Sequence, residues 1–386
     1  MGKNLLRSLL FIPLMAGFMT ISCTNKSTNA ESSSSQSEPP QITLELAPSE
    51  NNPRNSEGDF ITLKDGTIMF IYSHFYGDSR SDFGRSMLAA RYSDDGGDSW
   101  SEKDEIIVPN EGGVNVMSVS LLRLQDGRIA LFYVRKNSMQ DCIPILRYSE
   151  DEGKTWSDAI PTITDREGYF VLNNDRVIQL KEGRLIMPVS LHITPEEDKR
   201  FNEQGIMLCY YSDDSGLTWK SGGPIEKEEG YLTQEPGVVE LQHGRIMMYV
   251  RSDVGRQLVT YSHDQGHSWL PLKRSNIISP LSPVSVERIP LTGDLLLVWN
   301  NNDGSDERIK GKRTPYNTAI SRDEGQTWEN IKTIANDTDT RYCYTAIHFT
   351  DNAVLLAHVA GQYSDGTRNS KVHITKLDQK WIYGRS

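Results

Sequence analysis

Four cysteines, Cys23, Cys142, Cys209 and Cys343, are spread over 386 residues with no close pair among them. That pattern excludes a disulfide framework and a Cys-based zinc site, and leaves the last three as expected buried free thiols. Basic charge is also short. Lys and Arg number 41 against 52 Asp and Glu, a net charge of -11, and no cluster of basic residues offers the footprint that phosphate binding needs, so nucleic acid is excluded as a partner. The sequence holds no His-Glu-x-x-His pair, no Gly-rich phosphate loop and no Gly-x-Ser-x-Gly elbow, so neither a metal nor another cofactor is expected. Long apolar runs are missing as well. The one extended stretch, Leu9 to Ile21, is short for a membrane span.

That stretch follows Lys3 and Arg7 and precedes Ser22, which is the layout of an export signal over residues 1–22. Thr20-Ile21-Ser22-Cys23 resembles a bacterial lipobox, and the resemblance implies that Cys23 becomes the acylated first residue of the mature protein. The expected location is the bacterial cell envelope through a lipid anchor, or the periplasm or medium if the signal is cut without lipidation. Residues 23–41 include "TNKSTNAESSSSQSEPPQ", too polar to bury a core, and read as a disordered tether. Residues 42–386 are expected to fold as one unit.

What fills that unit is repetition. "YSDDGGDSW" (92–100) returns as "YSEDEGKTW" (148–156), "YSDDSGLTW" (211–219), "YSHDQGHSW" (261–269) and "ISRDEGQTW" (320–328). A second string, a tight turn between two apolar strands, appears at "LKDGTIMF", "LQDGRIALF", "LKEGRLIMP" and "LQHGRIMMY", with looser forms at "PLTGDLLLVW" and "FTDNAVLLAH". Six hairpins, most followed by one Ser-x-Asp-x-Gly-x-Ser/Thr-Trp, predict an all-β, six-bladed β-propeller of four-stranded antiparallel blades. The strand 42–46 is placed to complete the last blade and close the ring. In each repeated turn Asp can accept backbone N–H groups, Gly supplies a positive φ and Trp packs between strands, a structural role.

These five turns are Asp-boxes, and from about residue 50 to the end the chain resembles the sialidase (neuraminidase) superfamily. The resemblance implies an exo-acting glycosidase with three arginines holding the substrate carboxylate, an Asp acid/base and a Tyr nucleophile paired with a Glu. Arg54 stands before the first hairpin where the family has Arg-Ile-Pro, although Asn55 and Ser56 replace the last two. Asp82, eleven residues before Ser93, is similar to the acid/base, with Asp78 as the alternative. Glu235 and Arg251 flank the fourth hairpin and resemble the Glu and second Arg. Arg313 resembles the third Arg, with Arg308 and Lys312 as competitors. Tyr344 in "TRYCYTAIHF" is similar to the nucleophile, and Tyr342 alternates to the same face of a regular strand. Asn174, Asp175, Arg176 and His192 are expected near the same face as substrate contacts or their supports.

A neutral Tyr suits a 2-keto acid sugar, whose anomeric carbon bears a carboxylate that repels an anionic nucleophile; sialidases are exceptions to the two-carboxylate rule on this ground. The implied partner is a glycan, met by a monomer that touches the membrane through its lipid alone. Two other readings stand beside it. A propeller glycosidase or polysaccharide lyase of different specificity is favoured by the residues after Arg54 and by His74 and His192, and a non-catalytic glycan-binding lipoprotein shares the same fold.

Overall fold

The computed structural model describes residues 38–193 and 202–384. The export signal, Cys23 and the tether up to residue 37 lie outside the described residues.

The described chain is built from strands and turns, with one short α-helix, Gln379–Ile382, near its end. Each hairpin string folds into paired antiparallel strands around its turn. Asn55–Thr62, Ile68–Tyr76, Arg85–Ser93 and Glu105–Val108 form one four-stranded sheet in chain order. Thr233–Glu240, Ile246–Ser252, Arg256–Ser262 and Lys273–Ile278 form a second, and Ser285–Arg288, Leu295–Trp299, Tyr316–Ser321 and Glu329–Ala335 a third. In a fourth, Gln41–Leu46 pairs with Val372–Asp378, so the first described strand edges a sheet otherwise made from Thr340–Phe349 and Ala353–Gln362 at the end of the chain.

The second and third sequence repeats behave differently. They join in one nine-stranded sheet, because Gly168–Val171 runs parallel to Asp141–Ser149 and bonds to it at Gly168/Asp141 and Tyr169/Cys142. The hydrogen-bonded sheets therefore number five among the described residues, and the expected set of separate four-stranded blades is corrected at this one seam.

Packing restores the count of repeats. Six apolar clusters form, each centred on two successive repeats; one sets Phe60, Phe70 and Tyr72 of the first sheet against Leu355, Ala357 and Ile374 of the last. Both faces of most strands are covered, which is why the hairpin strings read as near-continuous apolar runs.

All five repeated turns close in the same way. Asp214 Oδ1 accepts from the Ser212 hydroxyl at 2.7 Å and the Thr218 N–H at 2.8 Å, and its Oδ2 accepts from the Thr218 hydroxyl at 2.6 Å. Asp95, Asp151, Asp264 and Asp323 make the matching bonds in their own turns. The carboxylates are spent on their turns, so these repeats hold the fold. Gly216, at φ 96°, lies where a Cβ would stand 2.5 Å from Leu146 Cδ2, whereas Gly66, at φ 94°, faces open space. Gly66→Ala is expected to cost about 1 kcal/mol through its backbone alone, and Gly216→Ala about 3 kcal/mol because strain and overpacking add. Urea denaturation measures both. Equal costs would mean that the turn does not press on its neighbour.

Candidate active site

Several innermost strands share an irregularity. Asn55–Thr62, Asn115–Arg123, Thr233–Glu240 and Thr340–Phe349 each slip register against their partner, between Ser56 and Asp59, Met117 and Ser120, Gln234 and Gly237, and Cys343 and Ala346. One non-glycine residue in each slip has a left-handed backbone: Glu57 (φ 43°), Ser118 (φ 63°), Glu235 (φ 49°) and Tyr344 (φ 57°). Such conformations cost free energy and persist where surrounding structure enforces them. Here they re-aim side chains. All four residues line one cavity of about 120 Å³, together with Asp82, Lys136 and Tyr169.

Two pairs meet within it. The Tyr344 hydroxyl donates to Glu235 Oε1 at 3.1 Å, and the Ser118 hydroxyl donates to Glu57 Oε2. Arg251, directly opposite Gln234 across the hairpin, places Nη1 2.6 Å from the same Glu235 oxygen. Arg313 sits with its guanidinium carbon 5.3 Å from the Tyr344 ring centre and donates through Nε to the Leu281 carbonyl. Arg54 reaches Asp82 Oδ1 at 2.6 Å and Glu57 Oε1 at 3.5 Å. Asp82 rides on a short loop whose backbone is pinned by Asn115 Nδ2, which donates to the carbonyls of Asp82 and Gly84.

These neighbours set the protonation states. Burial would raise Glu235, but the Arg251 and Arg313 charges override it and hold the carboxyl below its ordinary value. Burial and the Glu235 charge push Tyr344 up to about 12. Desolvation would likewise raise Asp82, yet Arg54 holds it below the ordinary range. Glu57 goes the other way, raised by burial against the pull of Arg54 and Ser118. The set therefore presents a neutral Tyr against an ionised Glu.

Arg54 and Arg313 are each 3% exposed and the Arg251 side chain is 12% exposed. Each keeps a buried N–H without a protein acceptor: Nε of Arg54, Nε of Arg251 and Nη1 of Arg313. Lys136 adds a further cation beside the carboxylates Glu57, Asp82 and Glu235, so an anionic ligand entering here would meet buried N–H donors. Among the described residues no three His, Cys, Asp or Glu side chains group to hold a metal ion.

The structure thus brings together Arg54, Asp82, Glu235, Arg251, Arg313 and Tyr344. Other candidates lie elsewhere. Tyr342 stacks on Tyr316, ring centres 5.4 Å apart, and lines a separate cavity with His358, because the slip at Cys343–Ala346 breaks the alternation that would have set it beside Tyr344. Asp175 opens onto a different cavity with Asp59 and Glu287, and its Oδ2 accepts the Ile347 N–H. Arg176, 1% exposed, donates to the Val284 carbonyl and Ser285 hydroxyl. Neither lines the Tyr344 cavity. His192 is buried beside Ser190 and the Asn202 carbonyl, outside the Tyr344 cavity. Asn174 bridges the Gly58 and Tyr344 carbonyls and so supports two of the slipped strands. Arg308 pairs with Asp306 at the surface, and Lys312 donates to the Thr338 carbonyl, so neither replaces Arg313. His74 joins Asp104 within its own sheet.

Glu57, Ser118 and Lys136 were missed. Their one signal in sequence is a polar residue set within an apolar inner strand or at the end of its neighbour.

Comparison with known proteins agrees with the fold and the repeats. The model of the BNR repeat-like domain matches residues 104–359. The chain belongs to this family, within the sialidase superfamily. A sialidase of Paraclostridium sordellii is 25% identical over 234 residues, 54% of this chain and 55% of that protein. The anhydrosialidase of the leech Macrobdella decora is 27% identical over 205 residues, 48% of this chain and 25% of its own. This BNR repeat-like chain spans about half the length of the first curated relatives it matches. Among solved structures, the Hadza microbial sialidase Hz136 superposes with a TM-score of 0.68 at 18% identity, over 86% of this chain and 67% of that one. A Dyadobacter fermentans protein of unknown function gives 0.69 at 18%, over 88% and 99%. At such identities the likeness is one of fold: an all-β chain of antiparallel sheets like those of the sialidases.

Proposed function

We propose that this chain is an exo-acting, retaining glycosidase of the sialidase type that releases a terminal 2-keto acid sugar from a glycan. Its six repeats are read as six propeller blades, the second and third joined through the Gly168–Val171 bridge. The observation that carries the reading is the set of three arginines with unused buried N–H groups around one Tyr–Glu pair.

In this mechanism the sugar carboxylate lies against Arg54, Arg251 and Arg313 through charge-assisted hydrogen bonds. The Tyr344 oxygen attacks the anomeric carbon while Glu235 accepts its proton, and Asp82 gives a proton to the departing glycosidic oxygen. A covalent sugar–tyrosine ether results. Water then attacks the same carbon, Asp82 takes its proton, and Tyr344 leaves and recovers a proton from Glu235. Two inversions give net retention. The carboxylate beside the anomeric carbon suits a nucleophile that stays neutral until it reacts, which is the state that burial and the Glu235 charge favour for Tyr344. We place the enzyme outside the cytoplasm, lipid-anchored through Cys23, on the strength of its first 41 residues.

Release of 4-methylumbelliferone from its α-sialoside by the purified chain tests the reading. Turnover is expected, with the α anomer of the free sugar appearing first by proton NMR. A β anomer formed first would exclude the covalent step, and no turnover of any 2-keto acid glycoside would overturn the assignment.

A further inference from the structure

One buried charge in the Tyr344 cavity has no part in that mechanism. Lys136 ends the strand Ile129–Lys136 and is 2% exposed. It forms no ion pair with any described carboxylate. Its Nζ donates to the Asp82 carbonyl at 2.6 Å and meets Met117 Sδ at 3.9 Å. The Phe83 and Tyr169 rings lie over it, centres 4.6 and 5.3 Å away. An ammonium has three protons to donate, and here one finds a full acceptor while another meets a weak thioether. Burying a cation in that state is unfavourable. Burial pulls its pKa below the ordinary lysine value, with Asp82 and Glu57 resisting.

The Asp82 carbonyl and the two rings stabilise the ammonium in part, and the remaining surroundings offer it no further oxygen acceptor. Met117, Val134, Cys142, Phe170 and Leu172 make the rest of this wall apolar, and the Asp82 carbonyl is already held by Asn115. A methionine or leucine would fill the space without the desolvation cost. The charge makes sense when an oxygen atom of a ligand enters the cavity.

We propose that Lys136 is a specificity-determining residue, donating a hydrogen bond to an oxygen substituent on the ring of the bound acid sugar while Tyr344 faces its anomeric carbon. Lys136 and Tyr344 line the same cavity, so a sugar whose anomeric carbon meets Tyr344 brings its ring substituents within the cavity that Lys136 lines. This inference rests on the glycosidase reading above. It adds that the glycone is selected by an oxygen at one ring position, since a site built around a buried donor rejects the analogue that lacks its acceptor far better than an apolar pocket rejects an extra group.

The test crosses one substitution in the protein with one in the substrate. 4-Methylumbelliferyl α-sialoside, its 4-deoxy analogue and its 5-deacetamido analogue, which lack the C4 hydroxyl and the acetamido carbonyl oxygen respectively, are compared on wild type, Lys136→Met and Lys136→Gln. With wild type, one analogue is expected to lose at least tenfold in kcat/KM, mostly through KM. Lys136→Met should lose a similar factor on the parent and nothing further on that analogue, because the partner is already gone. Lys136→Gln, which keeps a donor toward Asp82, should show the same pattern; it replaces the Met variant if that chain melts earlier. If wild type turns over the parent but each analogue loses the same factor in all three proteins, Lys136 merely holds the Asp82 loop and the proposal fails alone. If wild type turns over none of the three, the glycosidase reading fails and this one with it.

Discussion

Tyr344→Phe is expected to lower kcat on 4-methylumbelliferyl α-sialoside about a thousandfold or more, while KM changes by less than about tenfold. The substitution removes a single oxygen. The ring stays beside Arg313, the backbone keeps its left-handed turn, and the three arginines still hold the carboxylate, so binding survives where the nucleophile does not. Glu235 then has no proton to accept. Its carboxyl, held below the ordinary range, is ionised through the neutral pH range, whereas Tyr344, at about 12, is not. The attack therefore depends on proton transfer across the 3.1 Å bond, and Glu235→Gln should approach the loss seen at Tyr344. Rapid-mixing kinetics on both variants checks the assignment. A burst of product retained by Tyr344→Phe would show that the covalent step occurs elsewhere and would end the case for a tyrosine nucleophile.

The location of that pair was legible in part because repeats announce themselves. Five Ser-x-Asp-x-Gly-x-Ser/Thr-Trp strings and six hairpins are long-range order written as text, and the residues just before or after a hairpin lie where blades converge. Arg54, Glu235, Arg251 and Tyr344 were found on that basis together with family resemblance. What the text does not show is where a strand slips. A period-2 reading puts Tyr342 and Tyr344 on one face, and only the bulge between Cys343 and Ala346 separates them, one to the core and one to the cavity. The same device hid Glu57 and Ser118. Each looks like an ordinary polar residue in an apolar strand until its φ is known. Asp175 has the left-handed backbone as well, at φ 57°, yet its carboxylate is taken by the Ile347 N–H, so strain alone does not mark a substrate contact. The seam at Gly168–Tyr169 was invisible for another reason: a two-residue parallel bridge between repeats leaves no periodic trace.

Asp82→Ala is expected to cost about 100- to 10,000-fold in kcat on sialyllactose, whose leaving alcohol needs a proton, and far less on the 4-methylumbelliferyl glycoside, whose phenol leaves as an anion. Comparing the two substrates isolates the acid role from any loss of binding. The pH dependence carries the sharper consequence. Arg54 lies 2.6 Å from Asp82 and depresses its pKa, so in the free enzyme the carboxyl is ionised from the acid range upward and unready to donate. A bound carboxylate competes for the same guanidinium. Once Arg54 is shared, the depression weakens, the Asp82 pKa rises, and the proton needed for the leaving group is held to higher pH. The limb of kcat/KM that falls as pH rises reports the free enzyme, and that of kcat reports the complex; the second should therefore lie at higher pH, and Asp82→Asn should abolish both. Coincident limbs in the wild-type enzyme would mean that Arg54 does not pass from the acid to the substrate. The anion would then be held by Arg251 and Arg313 alone, and Arg54 would serve only to keep Asp82 in place.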